Sequence, residues 1–229
     1  MSANRPAARA RYPVPPRVPD ELADVDALEL LSRDEWDRVR IFGSMTSDVL
    51  PVLDLSESTL SGVVAHGLEV RQLTLTDVVV DGCDFSGGLL RGALLRRVEL
   101  RDCRLSGLVL DAAALHDVTF RSCKLDTASL RSLDAQRVVF DGSVLRDADL
   151  SGARLKDSCI TNSDLRGARC TKVTGRGLRL HGSDLAGLRD ADALRGAVID
   201  DAQVGVFAAA LLDALGVTVT DVDSDRPSS

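Results

Sequence analysis

Leu100-Arg101-Asp102-Cys103-Arg104-Leu105-Ser106-Gly107-Leu108-Val109-Leu110-Asp111-Ala112-Ala113-Ala114-Leu115-His116-Asp117-Val118-Thr119-Phe120 has an apolar side chain at every fifth position. An uncharged residue stands two places before each of them. The frame extends far beyond this stretch. It runs from Leu55, Leu60, Ala65 and Val70 to Leu180 and Leu185, and of its 27 members only Gly175 is not apolar. None of the 27 residues two places earlier is charged. In a chain that is 45% apolar, chance gives about half that regularity. A period of five is neither the 3.6 of a helix nor the 2 of a strand. It marks an internal repeat.

A second period of twenty lies above the first. Asp81-Gly82-Cys83-Asp84-Phe85, Arg101-Asp102-Cys103-Arg104-Leu105, Arg121-Ser122-Cys123-Lys124-Leu125, Asp141-Gly142-Ser143-Val144-Leu145, Thr161-Asn162-Ser163-Asp164-Leu165 and His181-Gly182-Ser183-Asp184-Leu185 align. Their third position reads Cys, Cys, Cys, Ser, Ser, Ser. Val78, Val98, Val118 and Val138 form another column. Like residues recur at twenty when they are stacked in space, so four five-residue sides make one turn of a coil. Each side turns its central Leu or Phe and the residue two before it inward, and the other three face water. One turn cannot bury its apolar set alone, whereas stacked turns bury a continuous column. Successive coils pair like parallel strands about 4.8 Å apart, so nearly seven coils give a rod roughly 32 Å tall.

Ala148-Asp149-Leu150-Ser151-Gly152-Ala153-Arg154-Leu155 resembles the A-[DN]-L-x-x signature of the pentapeptide repeat family. The resemblance implies an all-β chain folded as a right-handed, four-sided parallel β-helix solenoid with short helical caps at the termini. The residue before the central one departs from the family pattern, since Asp stands there only at Asp54, Asp84, Asp134, Asp149, Asp164 and Asp184. That position faces outward, so the fold tolerates the departure.

The ends read differently. Residues 1–19 hold four Arg and several Pro, without the apolar core of a secretory signal, and read as a flexible tail. Residues 20–50 read as a cap. Asp20 or Asp24 would start a short helix presenting Leu22, Val25, Leu28 and Leu31. Ser32-Arg33-Asp34-Glu35 fits a capping box leading to a further turn around Trp36, and Val39 and Ile41 alternate as in a strand. The β-helix proper is placed at 51–199, with the frame slipping by one after Leu185. Residues 200–220 read as a capping or dimerisation helix, ended by Gly216, and a strand at Val217 and Val219. Residues 221–229 read as a disordered acidic tail. No apolar run reaches the ~18 residues of a membrane span, so the expected compartment is the cytoplasm.

Charge narrows the partners. Net charge is −7, but residues 51–185 hold 18 acids and 18 bases. No basic stripe marks a direct nucleic-acid binder. Cys83, Cys103 and Cys123 stack in a column that suits neither a disulfide nor a tetrahedral zinc site, and read as small core residues. Cys170 is in the core, while Cys159 is expected to face outward as the one accessible thiol. His66, His116 and His181 occupy outward slots without a carboxylate partner of their own. No G-x-x-x-x-G-K, H-E-x-x-H or C-x-x-C pattern occurs, so neither catalysis nor a metal or other cofactor is expected.

A solenoid with flat faces and no pocket points to protein–protein interaction, a scaffold module with its partner unspecified. The family resemblance implies an alternative: a duplex-mimicking protein that binds gyrase, of the quinolone-resistance type, dimeric through its C-terminal end. The residues that would serve such roles here are a dimer face of Val204, Phe207, Leu211 and Leu215, and an acidic strip of Asp81, Asp84, Asp102, Asp141, Asp164 and Asp184. Against duplex mimicry, Arg101, Arg104, Arg121 and Lys124 interrupt that strip.

Overall fold

The computed structural model describes residues 12–46, 49–175 and 177–220. Ten parallel strands, β1 (Ala23–Asp26), β2 (Glu35–Asp37), β3 (Val39–Phe42), β4 (Val49–Ser61), β5 (Glu69–Asp81), β6 (Leu94–Arg101), β7 (Ala114–Arg121), β8 (Asp134–Asp141), β9 (Arg154–Lys156) and β10 (Cys159–Thr161), wind into a β-solenoid. The pairing steps by twenty: Val78 faces Val98, Val98 faces Val118, and Val118 faces Val138. Single bridges carry the same step through Ser44, Val64, Asp84, Arg104, Lys124, Val144, Asp164 and Asp184. We number the sides from residues 81–85 (first), 86–90 (second), 91–95 (third) and 96–100 (fourth). The first two are mostly turns joined by bridges, and the third and fourth carry the longer strands.

The five-residue frame is the core. Leu105, Leu110, Leu115, Phe120, Leu125 and Leu130 are all at most 2% exposed, as are Cys103, Leu108, Ala113, Val118, Cys123 and Ala128 two places before them. The inward Leu also ties the coils together: the amides of Leu105, Leu125 and Leu145 donate to the carbonyls of Lys124, Val144 and Asp164 at 2.7 Å. Phe120 and Phe140 stack with centroids 4.6 Å apart and planes 6° from parallel, an offset ring pair that the twenty-residue step imposes. Most corners hold one residue with positive φ, three before the central apolar one. Gly82, Gly87, Gly92 and Gly107 fill it without strain, and Asp102, Ala112 and Asp117 hold φ of 52° to 59° there.

The cysteine column is packing. Cys83, Cys103 and Cys123 are free and buried, and the Cys103 thiol donates to the Arg101 carbonyl at 3.1 Å. Ser143 occupies the same slot with its hydroxyl 3.3 Å from the Phe120 and Asp141 carbonyls.

Both ends differ from the sequence expectation. Residues 20–26 form no helix. Val25 is buried on β1, which pairs with β3. A 3₁₀ helix spans Ala27–Ser32, capped by Asp26 and Glu29, and it buries Ala27 and Leu30 while Leu28 and Leu31 stay exposed. A strand leaves fewer unpaired backbone groups on the first coil than a helix laid across it. Trp36 lies in β2, not in a helical turn, with Arg33 3.7 Å above its ring. Coil pairing therefore begins before residue 51. At the other end Arg179 faces Val198, nineteen residues on, so the coil absorbs the one-residue slip. Gln203 then seals it, donating to the Leu180 and Ser183 carbonyls at 2.6 and 2.7 Å. Helix α1 (Val204–Ala214) follows. Residues 217–220 are exposed and form no strand. The tail expected at 221–229 and the first part of the tail expected at 1–19 lie outside the described residues.

Cys103→Ser is expected to change stability by under ~1 kcal/mol, because the hydroxyl inherits the same carbonyl acceptors. Phe140→Ala should cost about 3–5 kcal/mol through the cavity it leaves beside Phe120. Guanidinium unfolding of the two variants checks both.

Candidate interaction surface

The fourth side differs from the other three because the chain's own N-terminal segment lies on it. Tyr12 to Pro19, expected to be part of a flexible tail, runs across the coils along the rod. The Val14 amide donates to Asp117 Oδ1 at 3.0 Å and the Arg17 amide donates to Asp77 Oδ1 at 3.0 Å. Proline fixes the conformation locally: Pro13, Pro15, Pro16 and Pro19 lock their own φ and hold the residues before them extended. Such a segment loses little further entropy on docking.

The acceptors belong to a ladder that alternates in charge from Asp77 onward. The corner column of the fourth side reads Glu57, Asp77, Arg97, Asp117, Arg137 and Asp157. Arg97 clasps Asp77 with two hydrogen bonds, the Nε one at 2.6 Å. Arg137 clasps Asp117 at 2.6 and 2.7 Å. Asp77 and Asp117 are only 6% and 4% exposed. The Arg97 hydrogen bonds outweigh burial and hold Asp77 below the usual carboxylate range. Burial would raise Asp117, but Arg137 and the Val14 amide overcome it and its pKa is also lowered. A buried carboxylate is tolerable only with partners of this kind.

Beyond Tyr12 the same side opens into a groove of about 540 Å³. Val139 and Cys159 line it beside Asp157, with Asp141 and Thr161 on the rim. Cys159, expected to be accessible, is 8% exposed, and burial raises its pKa. Cys170 is in the core as expected, its thiol pushed up to about 12 by burial.

Two histidines also depart from expectation. His66 Nε2 lies 3.0 Å from Asp84 Oδ2, and His116 Nδ1 lies 2.9 Å from Asp117 Oδ2. Asp84 lies eighteen residues beyond His66, in the next coil, whereas Asp117 directly follows His116 in the sequence. His181 lies at the rim of the groove.

The six acidic residues Asp81, Asp84, Asp102, Asp141, Asp164 and Asp184 all lie on the first side, but not as a bare strip. Arg104 and Lys124 stand between Asp84 and Asp164 in the stacked column. Asp164 is bonded by Arg166 and Arg146, which hold it well below the usual carboxylate range. Asp184 lies 3.4 Å from Arg166, and Asp141 accepts from Thr161 and Asn162. Of the four helix residues, Phe207 packs partly against the core and Leu211 is half-buried, while Val204 and Leu215 are 55% and 60% exposed. Ala210 is the buried residue of α1. Among the described residues, no cluster of three His, Cys, Asp or Glu side chains is placed to hold a metal ion, and no helix is long and apolar enough to cross a membrane.

The ladder predicts an acid dependence. Asp77 and Asp117 have folded pKa values below their unfolded ones, so their stabilisation is complete above the unfolded value of about 3.9 and is lost as pH falls through the folded one. Unfolding midpoints measured between pH 3 and 7 should fall at the acid end, and less steeply in the Asp77→Asn, Asp117→Asn double variant.

The coil geometry agrees with comparisons to known proteins. Residues 89–126 and 123–167 match the family model of pentapeptide repeats, with eight copies. A search of curated proteins finds no match. Among solved structures the chain is similar to full-length QnrB1, a plasmid-mediated fluoroquinolone resistance protein. The two are 17% identical, with a TM-score of 0.50 over 74% of this chain and 99% of that one. It is also similar to HetL, a pentapeptide repeat protein involved in heterocyst differentiation regulation from the cyanobacterium Nostoc sp. strain PCC 7120. That match is 21% identical, with a TM-score of 0.36 over 74% of this chain and 83% of that one. At 17% identity the QnrB1 likeness speaks for the fold alone. Residues 89–167 are thus pentapeptide repeats by that family model, and the twenty-residue pairing continues on both sides of them, from Ser44 to Asp184.

Proposed function

We propose that this protein is a non-enzymatic, cytoplasmic scaffold that presents the flat sides of its coil to a protein partner. One observation carries the reading: the fourth side already holds an extended segment, Tyr12 to Pro19, in hydrogen-bonded register with its corner column. That side therefore holds polypeptide in cis, through outward residues of its corner column. The five cysteines are free, which suits a reducing compartment. No direct role with nucleic acid and no cofactor enters this reading. Native purification from the source cell, with Leu105→Asp as an uncoiled control, should retain a defined protein on the intact chain and not on the control. Retention of the same set by both would contradict the proposal.

Self-association is the second part of the reading. Helix α1 covers the end of the coil with Phe207 and Ala210 yet leaves Val204, Val206 and Leu215 exposed. A homodimer would cover that face. Sedimentation velocity at micromolar concentration should show a dimer that Leu215→Asp converts to monomer. A monomer at every concentration would make α1 an end cap alone.

Duplex mimicry at gyrase is the alternative that the family suggests. A mimic needs a continuous line of unpaired negative charge, one per ~1.7 Å of axis. Here Asp84, Asp164 and Asp184 are each close to a cationic or histidine side chain. Weak or absent inhibition of purified gyrase supercoiling at micromolar protein is therefore expected. Potent inhibition that disappears on changing Asp141, Asp164 and Asp184 to Asn would establish the alternative.

A further inference from the structure

The interior of the rod is not filled evenly along its axis. From Leu115 to Leu155 the inward side chains close on one another. Leu125, Leu130, Leu133 and Leu145 are fully buried there, and Phe120 stacks on Phe140. Nearer the N-terminal end the same frame encloses a cavity of about 70 Å³. Its lining begins at Leu30 and Met45 and ends at Phe120, nearly four coils further on, which is about 18 Å along the axis. So small a volume drawn out over that length is a narrow axial channel. Every side chain that lines it is Leu, Val, Met or Phe.

Two features of the sequence open it. The central column of the fourth side reads Leu60, Val80, Leu100, Phe120 and Phe140, so the ring pair that plugs the middle coils has no counterpart nearer the N-terminus. The slot two places before the central residue holds Ala113, Val118, Cys123 and Ala128 in the closed part, but Leu at 53, 68, 73 and 108. A larger residue in that slot keeps its side further from the axis, and the central side chains then fail to meet across it. Leu133, the one leucine of this kind between 113 and 153, stands beside Ala135, which returns the space. Residual accessibility follows the cavity. Leu73, Leu75 and Leu100 are each 7% exposed although they point inward. Phe85 and Leu90 are the only central residues from Leu55 to Cys170 that are half-buried.

We infer that this cavity is a binding site for a small, unbranched apolar molecule of the short aliphatic chain class. Water gains no hydrogen bond inside it, so the cavity stays dry and its walls lack partner atoms. An apolar cavity of ~150 Å³ lined by such side chains holds benzene or xenon. Here about half that volume, drawn out along the axis, admits a chain and rejects a ring. The occupant restores the missing contacts in the coiled chain alone, so it stabilises the coil. Beside Phe85 the wall is Ser86-Gly87-Gly88, which has little side chain to displace when the coil opens locally. The site lies inside the coil and is independent of the outer sides on which the scaffold reading rests.

Methyl NMR of the full chain, with labelled leucine and valine, tests the inference under xenon, n-butane and cyclohexane. Xenon and n-butane should give saturable shifts at the methyls of Leu75, Leu100 and Leu105, and none at Leu125 and Leu145 in the same spectrum. Cyclohexane should give none. Leu100→Phe continues the Phe120 and Phe140 column into the cavity and should abolish the shifts at Leu75 and Leu105. Val80→Leu adds one methylene in the same column and should weaken binding several-fold, with circular dichroism unchanged. Where Leu100→Phe alters the circular dichroism, Val80→Leu decides. Shifts that do not saturate, that are as large at Leu125 and Leu145, or that persist unchanged in the filled variants overturn the inference. Cyclohexane binding equal to that of n-butane also overturns it.

Discussion

The amide of the central leucine of a repeat donates to a carbonyl nineteen residues further on, in the next coil. That bond, seen at Leu105, Leu125 and Leu145, locks the twenty-residue step on which everything else depends. Once the step is fixed, each residue sits directly above its counterpart in the coil below, and columns of like residues follow. The interior is closely packed and apolar and offers no partner to a charge, so two of every five residues must be apolar or small. The remaining three are free to vary, and there the chain keeps its individual features.

The stacking also organises charge. A side chain in one coil meets its counterparts twenty residues away, so an Asp above an Arg forms a clasp without any local sequence motif. Asp77 with Arg97, Asp111 with Arg131, and Asp117 with Arg137 all arise this way. Exposed pairs of this type contribute little stability each, but Asp77 and Asp117 under the strap are buried and accept its amides. They also explain why a chain with a net charge of −7 presents a body whose acids are mostly paired.

The repeating part of the fold was legible in the sequence because its cause is local and periodic. A narrow core forbids charge at two positions in five, and that prohibition is visible residue by residue. The irregular parts were not legible, for physical reasons. Tyr12 to Pro19 has the composition of a tail, and nothing near it in sequence reveals that its acceptors lie 60 and 103 residues away. Leu22, Val25, Leu28 and Leu31 have helical spacing, but the first coil offers an unpaired strand edge, and β1 takes it. Gln203 falls outside the five-residue frame and carries no periodic signal, yet it closes the last coil's open carbonyls. The glycines at 82, 87, 92 and 107 did carry a readable signal, since they fall in one frame with period five and mark the left-handed corner. Cys159 sits in an outward slot, but on a side that forms a groove, so slot and exposure part company.

Native-state hydrogen exchange reads the stacking constraint directly. If the inter-coil bonds hold the rod together, it opens from its ends, because an end coil has a neighbour on one side only. The amides of Leu105, Leu125 and Leu145 should then exchange most slowly, with protection declining toward Ala23 at one end and Leu180 at the other. Exchange at Leu105 and Leu125 as fast as at the end coils would contradict the account.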